Sequence, residues 1–421
     1  MAADEGDDRD ESTPDGRDPD GRDPDGRNPD GREPDGLAGL GGWFAGVPMF
    51  GDLARAMAGQ GPLNWDAARQ FAALASTDGG VEPNVDPTTR IALEQLAGIA
   101  AMHVADVLAV PVSAGRLDAV TRGVWAQRTL DAYRPLFTEM ASSLGQRPQA
   151  GDDQTDPMAA MMAGLTQMMA PAMMGMAIGS MVGRMARRAF GQYDLPVPRP
   201  SSELVVVPQA IDEFAATWSL AVDELRLWVL TQELIGQTVF GLGTVREDLS
   251  ALVRRHAGAF RPDPQSLAEH LGTLDVSDAE SDPMASIQRM MSDPAVVLGA
   301  VQSDEQRQLQ PTLDAAFGAL VGVVDYVSDA VAVRLIGGDA LQIAEAIRRR
   351  RLDTGPDDIY IQRLLGLSLT QGQVQRGKAF IAGAVDRVGE HRLAELLSRP
   401  GALPTPAEFE APGLWVARLE L

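Results

Sequence analysis

The sequence predicts a mainly α-helical protein with a small β component. Apolar residues recur at intervals of three and four through most of the chain after residue 37, which is the spacing of an amphipathic helix. The best strand candidate is the short stretch Glu203-Leu-Val-Val-Val-Pro208, which a proline closes. Apolar residues make up 45% of the 421 residues. That content is enough for a core that buries about three quarters of the unfolded surface.

The first 36 residues differ in composition from the rest. A five-residue repeat, Pro-Asp-Gly-Arg followed by Asp, Asn or Glu, runs from Pro14 to Gly36. The stretch holds 14 acidic and 5 basic side chains and so carries −9 of the net charge of −23. Each Pro-Asp-Gly favours a turn, and no residue here can begin a core. The sequence predicts a disordered acidic tail over 1–36, either without a function of its own or acting as a docking or solubilising tail.

The composition excludes several kinds of site. Cysteine is absent, so disulfides, thiolate zinc sites and thiol nucleophiles are excluded. The chain has four histidines, and no two are three or four residues apart: His103, His256, His270 and His391. The acidic net charge predicts no nucleic-acid partner. The acidic start of the chain lacks the pattern of a secretory signal, which predicts a cytoplasmic protein.

Residues 37–190 are predicted to form a helical N-terminal region. Helical spacing is found at Leu53–Ala75, Ile91–Val110 and Asp118–Leu144, with Pro111 ending the second helix. Trp65, Phe71 and similar aromatic residues alternate with aliphatic ones at these intervals. That pattern favours core packing over a ligand site.

A methionine-rich segment follows these helices. Met158 to Gly183 is a run of 26 residues without a formal charge, and its length permits a membrane span. Met, Ala and Gly partition weakly into hydrocarbon, and Pro171 interrupts the run, so a soluble helix hairpin with Pro171 near the bend is preferred. Gly175, Gly179 and Gly183 recur at every fourth residue and permit close approach of another helix. A Met-rich surface for a partner helix is a further alternative.

The C-terminal part begins with the predicted strand and continues with predicted helices at Asp212–Thr217 and Val222–Phe240. The second helix contains Leu227-Trp-Val-Leu-Thr-Gln-Glu-Leu-Ile-Gly-Gln-Thr-Val-Phe240. This string resembles the active-site helix of the zincin-like metallopeptidase type 2 family of actinobacteria. Further motifs follow the family's order: Gly191-Gln-Tyr-Asp-Leu-Pro196, Arg363-Leu-Leu-Gly-Leu367, Gln375-Arg-Gly-Lys-Ala-Phe380, Val385-Asp-Arg-Val-Gly389, Leu403-Pro-Thr-Pro-Ala-Glu408 and Trp415-Val-Ala-Arg418. The resemblance implies a zincin-like metallopeptidase architecture, with 191–421 as its zincin-like region.

The resemblance also implies a zinc site, and this sequence departs from it. The family's helix carries His-Glu-x-x-His, in which two histidines hold zinc and the glutamate polarises the bound water. Here Gln232 and Gly236 stand at the histidine positions, and Glu233 keeps the position of the general base as a vestige. The third ligand of the family corresponds to Val321 or Val323, which are apolar. No metal or other cofactor is expected, although the family uses zinc.

The sequence therefore predicts a catalytically inactive metallopeptidase homologue that binds an unidentified protein or peptide. One alternative is a zinc-dependent metallopeptidase or hydrolase with a non-standard site, assembled for example from Glu233, Asp325 and Asp329. Another is a membrane-associated structural protein that uses Met158 to Gly183, although a membrane partner is disfavoured. Glu233 is predicted to be neutral, solvent-exposed or paired with Arg226 or Arg246.

The sequence also contains a run of four arginines. Arg348-Arg-Arg-Arg351 ends a predicted helix that begins near Asp339, where cations suit the helix dipole. A solvated helix end is preferred here over a docking site for a phosphate or an acidic tail.

Overall fold

Helices form most of the computed structural model, which describes residues 61–112, 115–144, 157–262, 300–301, 303–352, 362, 364–367 and 369–421. Side chains are described for all of these except 157–167, 262, 300–301 and 352. The described residues belong to one compact unit, Ala54–Leu421. The predicted tail at 1–36 lies outside the described residues.

The N-terminal half contains five helices and one strand among its described residues. They are α1 (Trp65–Ser76), α2 (Pro87–Leu108), β1 (Leu117–Ala119), α3 (Arg122–Ala132), α4 (Arg134–Leu144) and α5 (Pro157–Ala186). Side-chain caps begin several of them: Asn64 accepts a hydrogen bond from the Ala67 N–H, and Asp86 precedes Pro87 at the first position of α2. The helix predicted at Ile91–Val110 is confirmed.

The single helix predicted at Asp118–Leu144 is wrong. The chain forms β1 first, and the helical part is divided at Tyr133 into α3 and α4. Pro135 lies in the first turn of α4 and has no N–H to donate to the carbonyl of Asp131, which favours a break between α3 and α4 at this point. At the junction, the Tyr133 hydroxyl donates to the Val197 carbonyl at 3.0 Å.

The methionine-rich segment is one helix, so the predicted hairpin is wrong. α5 continues through Pro171. Instead of folding back on itself, α5 packs against α1, and the Pro171 carbonyl accepts a hydrogen bond from the Asn64 N–H at 2.9 Å. The close approach predicted from the glycines does occur, with α1 as the partner. Cβ atoms at Gly175, Gly179 and Gly183 would lie 2.2, 2.2 and 2.5 Å from carbonyl oxygens of α1 or its cap.

The β component is small, as predicted. β2 (Leu204–Val206) pairs in parallel with β1, with Leu117 opposite Leu204 and Ala119 opposite Val206. β2 confirms the predicted strand, whereas β1 was not predicted because three residues are too few for an alternating pattern to be recognised. A second pair joins β3 (Arg261–Pro262) to β4 (Ala300–Val301) in antiparallel orientation.

The C-terminal half surrounds one long helix. Its helices are α6 (Pro208–Trp218), α7 (Val222–Gly241), α8 (Gly243–Gly258), α9 (Asp304–Leu335), α10 (Ala340–Leu352), α11 (Gln371–Val388), α12 (Leu393–Leu397), α13 (Pro406–Glu410) and α14 (Pro412–Glu420). α9 packs against α2, α7 and α11. Gly322 of α9 contacts the backbone of Gly377 in α11 so closely that a Cβ would lie 2.4 Å from the Gly377 carbonyl oxygen. α9 is therefore the core helix that α7 and α11 flank.

Two described helices, α2 and α9, are long and apolar enough to cross a membrane by length and composition. In α9, 78% of the most apolar window is buried inside the protein. A buried core helix passes the same test, so this feature alone is weak evidence for a membrane span.

Gly179→Ala is expected to lower the free energy of unfolding by about 1–3 kcal/mol, because its Cβ would overlap the Ala68 carbonyl oxygen and push α5 away from α1. Urea denaturation followed by circular dichroism measures this change. Gly98→Ala is the control, because Gly98 lies in α2 with open space around it. That variant is expected to gain about 0.5–1 kcal/mol from reduced backbone entropy. A Gly179→Ala protein as stable as the control would contradict the close packing.

Candidate functional site

A cavity of about 120 Å³ lies between α7, α9, the C-terminal turn of α10 and the segment 185–196. We call it the central cavity. Its position follows from the core: α7 and α9 pack together, and the segment after α5 runs over α7 before entering β2. Gln232, Glu233 and Gly236 all line the cavity from α7. The three residues at the positions of the family motif therefore share one cavity.

The two valines of α9 have different positions. Val321 lines the central cavity, but Val323 is fully buried in the core. Val324 lines the cavity beside Val321. Residues three apart share a helix face, whereas residues two apart point about 200° away from each other. Of the two positions that the sequence left open for the third ligand, only Val321 lines the cavity.

Glu233 is a buried carboxyl, only 4% exposed. Its two oxygens share the backbone N–H of Tyr193, at 3.2 and 3.1 Å. Burial, with a smaller effect from the nearby charge of Asp194, raises the pKa of Glu233 to about 8. Glu233 is accordingly mostly protonated near neutral pH, which fits the predicted neutral state. The predicted partner Arg226 pairs with Asp212 instead, at 2.7 Å.

Two glycines leave the space that this arrangement needs. A Cβ on Gly191 would lie 2.2 Å from the carboxyl carbon of Glu233. A Cβ on Gly236 would lie 2.8 Å from Cγ of Tyr193. The Tyr193 ring covers Gly236 and stacks on Phe240, with 5.6 Å between centroids and 11° between planes. A side chain at the second histidine position of the family motif would therefore meet an aromatic ring.

Asp194 links the segment over α7 to the end of α10. Its carboxylate accepts hydrogen bonds from the N–H groups of Phe190 and Gly191 and pairs with Arg350 at 3.0 Å. The Arg350 guanidinium lies 3.7 Å above the centroid of the Phe190 ring. It also donates to the Arg188 carbonyl, while Arg188 donates to the Arg350 carbonyl.

The arginine run of α10 is mostly paired, so the predicted solvated helix end is wrong for most of its members. Arg351 makes a bidentate pair with Asp325 of α9, at 2.9 and 3.0 Å. Arg348 pairs with Asp329, which also accepts from Lys378 at 2.8 Å. Arg349 fits the prediction, because its side chain is 62% exposed and pairs within its own helix. Helix α9 supplies carboxylates that the sequence of α10 alone cannot reveal.

The residues present do not fit a zinc ion. Zinc in a catalytic site takes three nitrogen, sulfur or oxygen ligands from the protein. The positions of the family's ligands hold an amide, a glycine and valines. The alternative acidic ligands, Asp325 and Asp329, are paired with cations. Among the described residues, no group of three or more His, Asp or Glu side chains is arranged to hold a metal ion.

Histidine contributes nothing to this cavity in the described part of the chain. His256 is buried in the last turn of α8, where burial lowers its pKa to about 4. His270 lies outside the described residues.

The sequence did not place Tyr193, Asp194, Arg350 and Arg351 at this cavity. The motif Gly191-Gln-Tyr-Asp-Leu-Pro196 and the arginine run were both visible, but nothing in either predicted that they would meet at α7.

Comparison with known families identifies the family of this chain. It belongs to the zincin-like metallopeptidase family, whose model matches residues 63–416. The chain also resembles the crystal structure of "a putative hydrolase with a novel fold" from Chloroflexus aurantiacus, with a TM-score of 0.57 and 21% sequence identity. That match covers 85% of this chain and 99% of the other. At this identity the likeness shows the fold alone. Comparison with curated proteins gives no match.

Glu233→Gln is expected to change how stability depends on pH. The wild-type carboxyl has a pKa of about 8 when folded, against 4.5 as its ordinary value. The folded state therefore holds a proton that the unfolded state releases between these values, and stability falls as pH rises through this window. The slope is at most about 1.4 kcal/mol per pH unit. It is absent below pH 4.5 and above pH 8.

Glutamine does not titrate, so the free energy of unfolding of the variant should rise relative to wild type across the same window. Urea denaturation at a series of pH values measures both proteins. Parallel curves would show that the Glu233 carboxyl does not hold its proton in the folded state.

Proposed function

We propose that this protein is a catalytically inactive member of the zincin-like metallopeptidase family and uses the central cavity to bind a segment of a protein or peptide. In this proposal it needs no metal, and it acts in the cytoplasm. The membrane-associated role remains a prediction that no contact in the described chain favours.

The main support for the proposal is that the second histidine position of the family motif, Gly236, is covered by another residue. Gly236 has no side chain, and the Tyr193 ring lies against it. A missing donor could be replaced by a neighbour, but a position covered by an aromatic ring leaves no room for a ligand there. With Gln232 and Val321 at two other ligand positions, three donors are lost together.

Glu233 supports binding in preference to hydrolysis. A glutamate beside zinc activates a metal-bound water as its base. Here the carboxyl is mostly protonated near neutral pH, and its oxygens share the Tyr193 N–H. Its neighbour Gln232 is half-buried in the cavity wall and offers an amide that can both donate to and accept from a peptide backbone. The cavity volume admits a side chain or several water molecules.

One observation favours a second candidate, a hydrolase with a non-standard site. A buried carboxyl whose pKa is near 8 has the property of an acid–base catalyst that works near neutral pH. In this alternative Glu233 exchanges a proton with substrate or water.

The purified full-length protein is incubated with zinc and then desalted. We expect it to retain less than one zinc ion per chain, as measured by inductively coupled plasma mass spectrometry. It is also expected to hydrolyse no peptide from a mixed fluorogenic library, with or without a chelator. Glu233→Gln should behave like wild type in both assays. Stoichiometric zinc with chelator-sensitive turnover would overturn the proposal. Chelator-resistant turnover that Glu233→Gln abolishes would establish the hydrolase alternative.

Restoring the ligands is expected to require removal of Tyr193. The combination of Gln232→His, Gly236→His and Val321→His should bind zinc only when Tyr193→Gly is added, because the Cβ and the ring of Tyr193 otherwise block the second histidine. Calorimetric titration with zinc measures the affinity. The matched control replaces Val321→His with Val323→His, whose side chain points into the core. Zinc binding by the triple variant with Tyr193 intact would contradict the blocking role of the ring.

A further inference from the structure

Basic side chains surround the central cavity on two sides. The pocket between α10 and α11, the α11 pocket, has a volume of about 370 Å³. The pocket between α6 and the ends of α5 and α10, the α6 pocket, has a volume of about 410 Å³. The charged side chains of the α11 pocket are Arg348, Arg349, Arg351, Lys378 and Glu345. Those of the α6 pocket are Arg187, Arg188, Arg349, Arg350 and Glu213.

The three spaces are adjacent, because they share lining residues. Arg351 lines both the central cavity and the α11 pocket. Arg188 and Arg350 line both the central cavity and the α6 pocket. Arg349 lines the two outer pockets. An extended ligand with one side chain in the central cavity would therefore have arginines beside its neighbouring residues.

This charge distribution is opposite to that of the chain as a whole. The sequence has 59 acidic and 36 basic residues, yet each outer pocket has four basic side chains and one acidic side chain on its wall. Lys378, in the α11 pocket, is the only lysine of the chain. The concentration of cations at these pockets is thus local and cannot result from a generally basic composition.

Nearby acids hold these cations in position and neutralise part of their charge. Asp329 holds Arg348 and Lys378, and Glu345 pairs with Arg349 through its Nε atom at 2.8 Å. The Asp329 and Glu345 side chains are 40% and 52% exposed. Ion pairs at such exposure contribute little to stability, so a ligand carboxylate can compete for Arg348, Arg349 and Lys378, and for Arg187, whose partner Asp78 is 65% exposed. Arg350 and Arg351 stay with Asp194 and Asp325, whose side chains are largely buried.

Resting on the proposed binding function, we infer that the peptide bound at the central cavity is acidic, with carboxylate side chains on both sides of the residue that enters the cavity. Guanidinium groups recognise carboxylates through paired hydrogen bonds, which gives the outer pockets their specificity. The acidic surface elsewhere repels such a peptide and so confines it to this region.

Arg349→Glu tests the inference with little risk to folding, because the side chain is 62% exposed and pairs only within α10 among the described contacts. Arg255→Glu is the matched control. Arg255 is 63% exposed, has one acidic partner in Glu305, and lines none of the three spaces. The two variants change the net charge equally, so long-range repulsion is the same in both.

The probe is a short fluorescent peptide in which glutamate alternates with alanine, compared with its glutamine counterpart by fluorescence anisotropy on the full chain. The glutamate peptide is expected to bind more tightly than the glutamine peptide. Arg349→Glu should weaken its binding by about fivefold to tenfold, and Arg255→Glu should leave it within about twofold of wild type. Added salt should reduce the affinity for the glutamate peptide.

Several results would overturn the inference. Equal binding of both peptides would remove the requirement for acidic residues while leaving the proposed peptide-binding function in place. Equal losses in the two arginine variants would reduce the effect to net charge. Displacement of the peptide by inorganic phosphate at the same millimolar concentration as by free glutamate would indicate a site for simple anions. The absence of peptide binding would also overturn it, and the separate zinc and hydrolysis assays would then decide whether the protein is an enzyme.

Discussion

The contact between the Glu233 carboxyl and the Tyr193 backbone N–H holds the site together. It joins α7 to the segment that leads from α5 to β2, and that segment in turn places Asp194 opposite Arg350. A carboxyl buried to this degree is stable chiefly in its protonated form, because the low-dielectric interior penalises the charge. Gly191 and Gly236 make the contact sterically possible, since each would collide with it if it carried a side chain.

Ion pairs and aromatic stacking connect the elements around the central cavity. Arg351 binds Asp325 between α10 and α9, Arg350 binds Asp194, and Tyr193 stacks on Phe240. Pairs of this kind need good geometry to offset the cost of removing charges from water, and the bidentate Arg351 contact provides it. The consequence is a cavity whose wall is polar and cationic next to α10 and apolar next to Val321 and Val324.

Features governed by short-range rules were predictable. The β2 strand and the α7 helix have local patterns that specify them, and the glycines of α5 correctly indicated a close helix contact. Predictions failed where the partner was remote. Pro171 suggested a bend, but packing on α1 keeps α5 helical through it. The motif left the third ligand position open between Val321 and Val323, whereas the rotation of the helix presents Val321 and Val324 to the cavity. The arginine run looked solvent-exposed because its acidic partners lie on α9 and in the segment after α5.

The amino-acid sequence by itself determined that this is a helical member of the zincin-like family with a glutamate and no histidines at the motif of α7, since residue identities and periodic spacing are local properties of the chain. Only the tertiary structure decided that the glutamate is buried and mostly protonated, that a tyrosine ring covers Gly236, and that the arginines of α10 surround the same cavity. Those features depend on desolvation and on contacts between residues far apart in sequence, and neither quantity exists until the helices have packed.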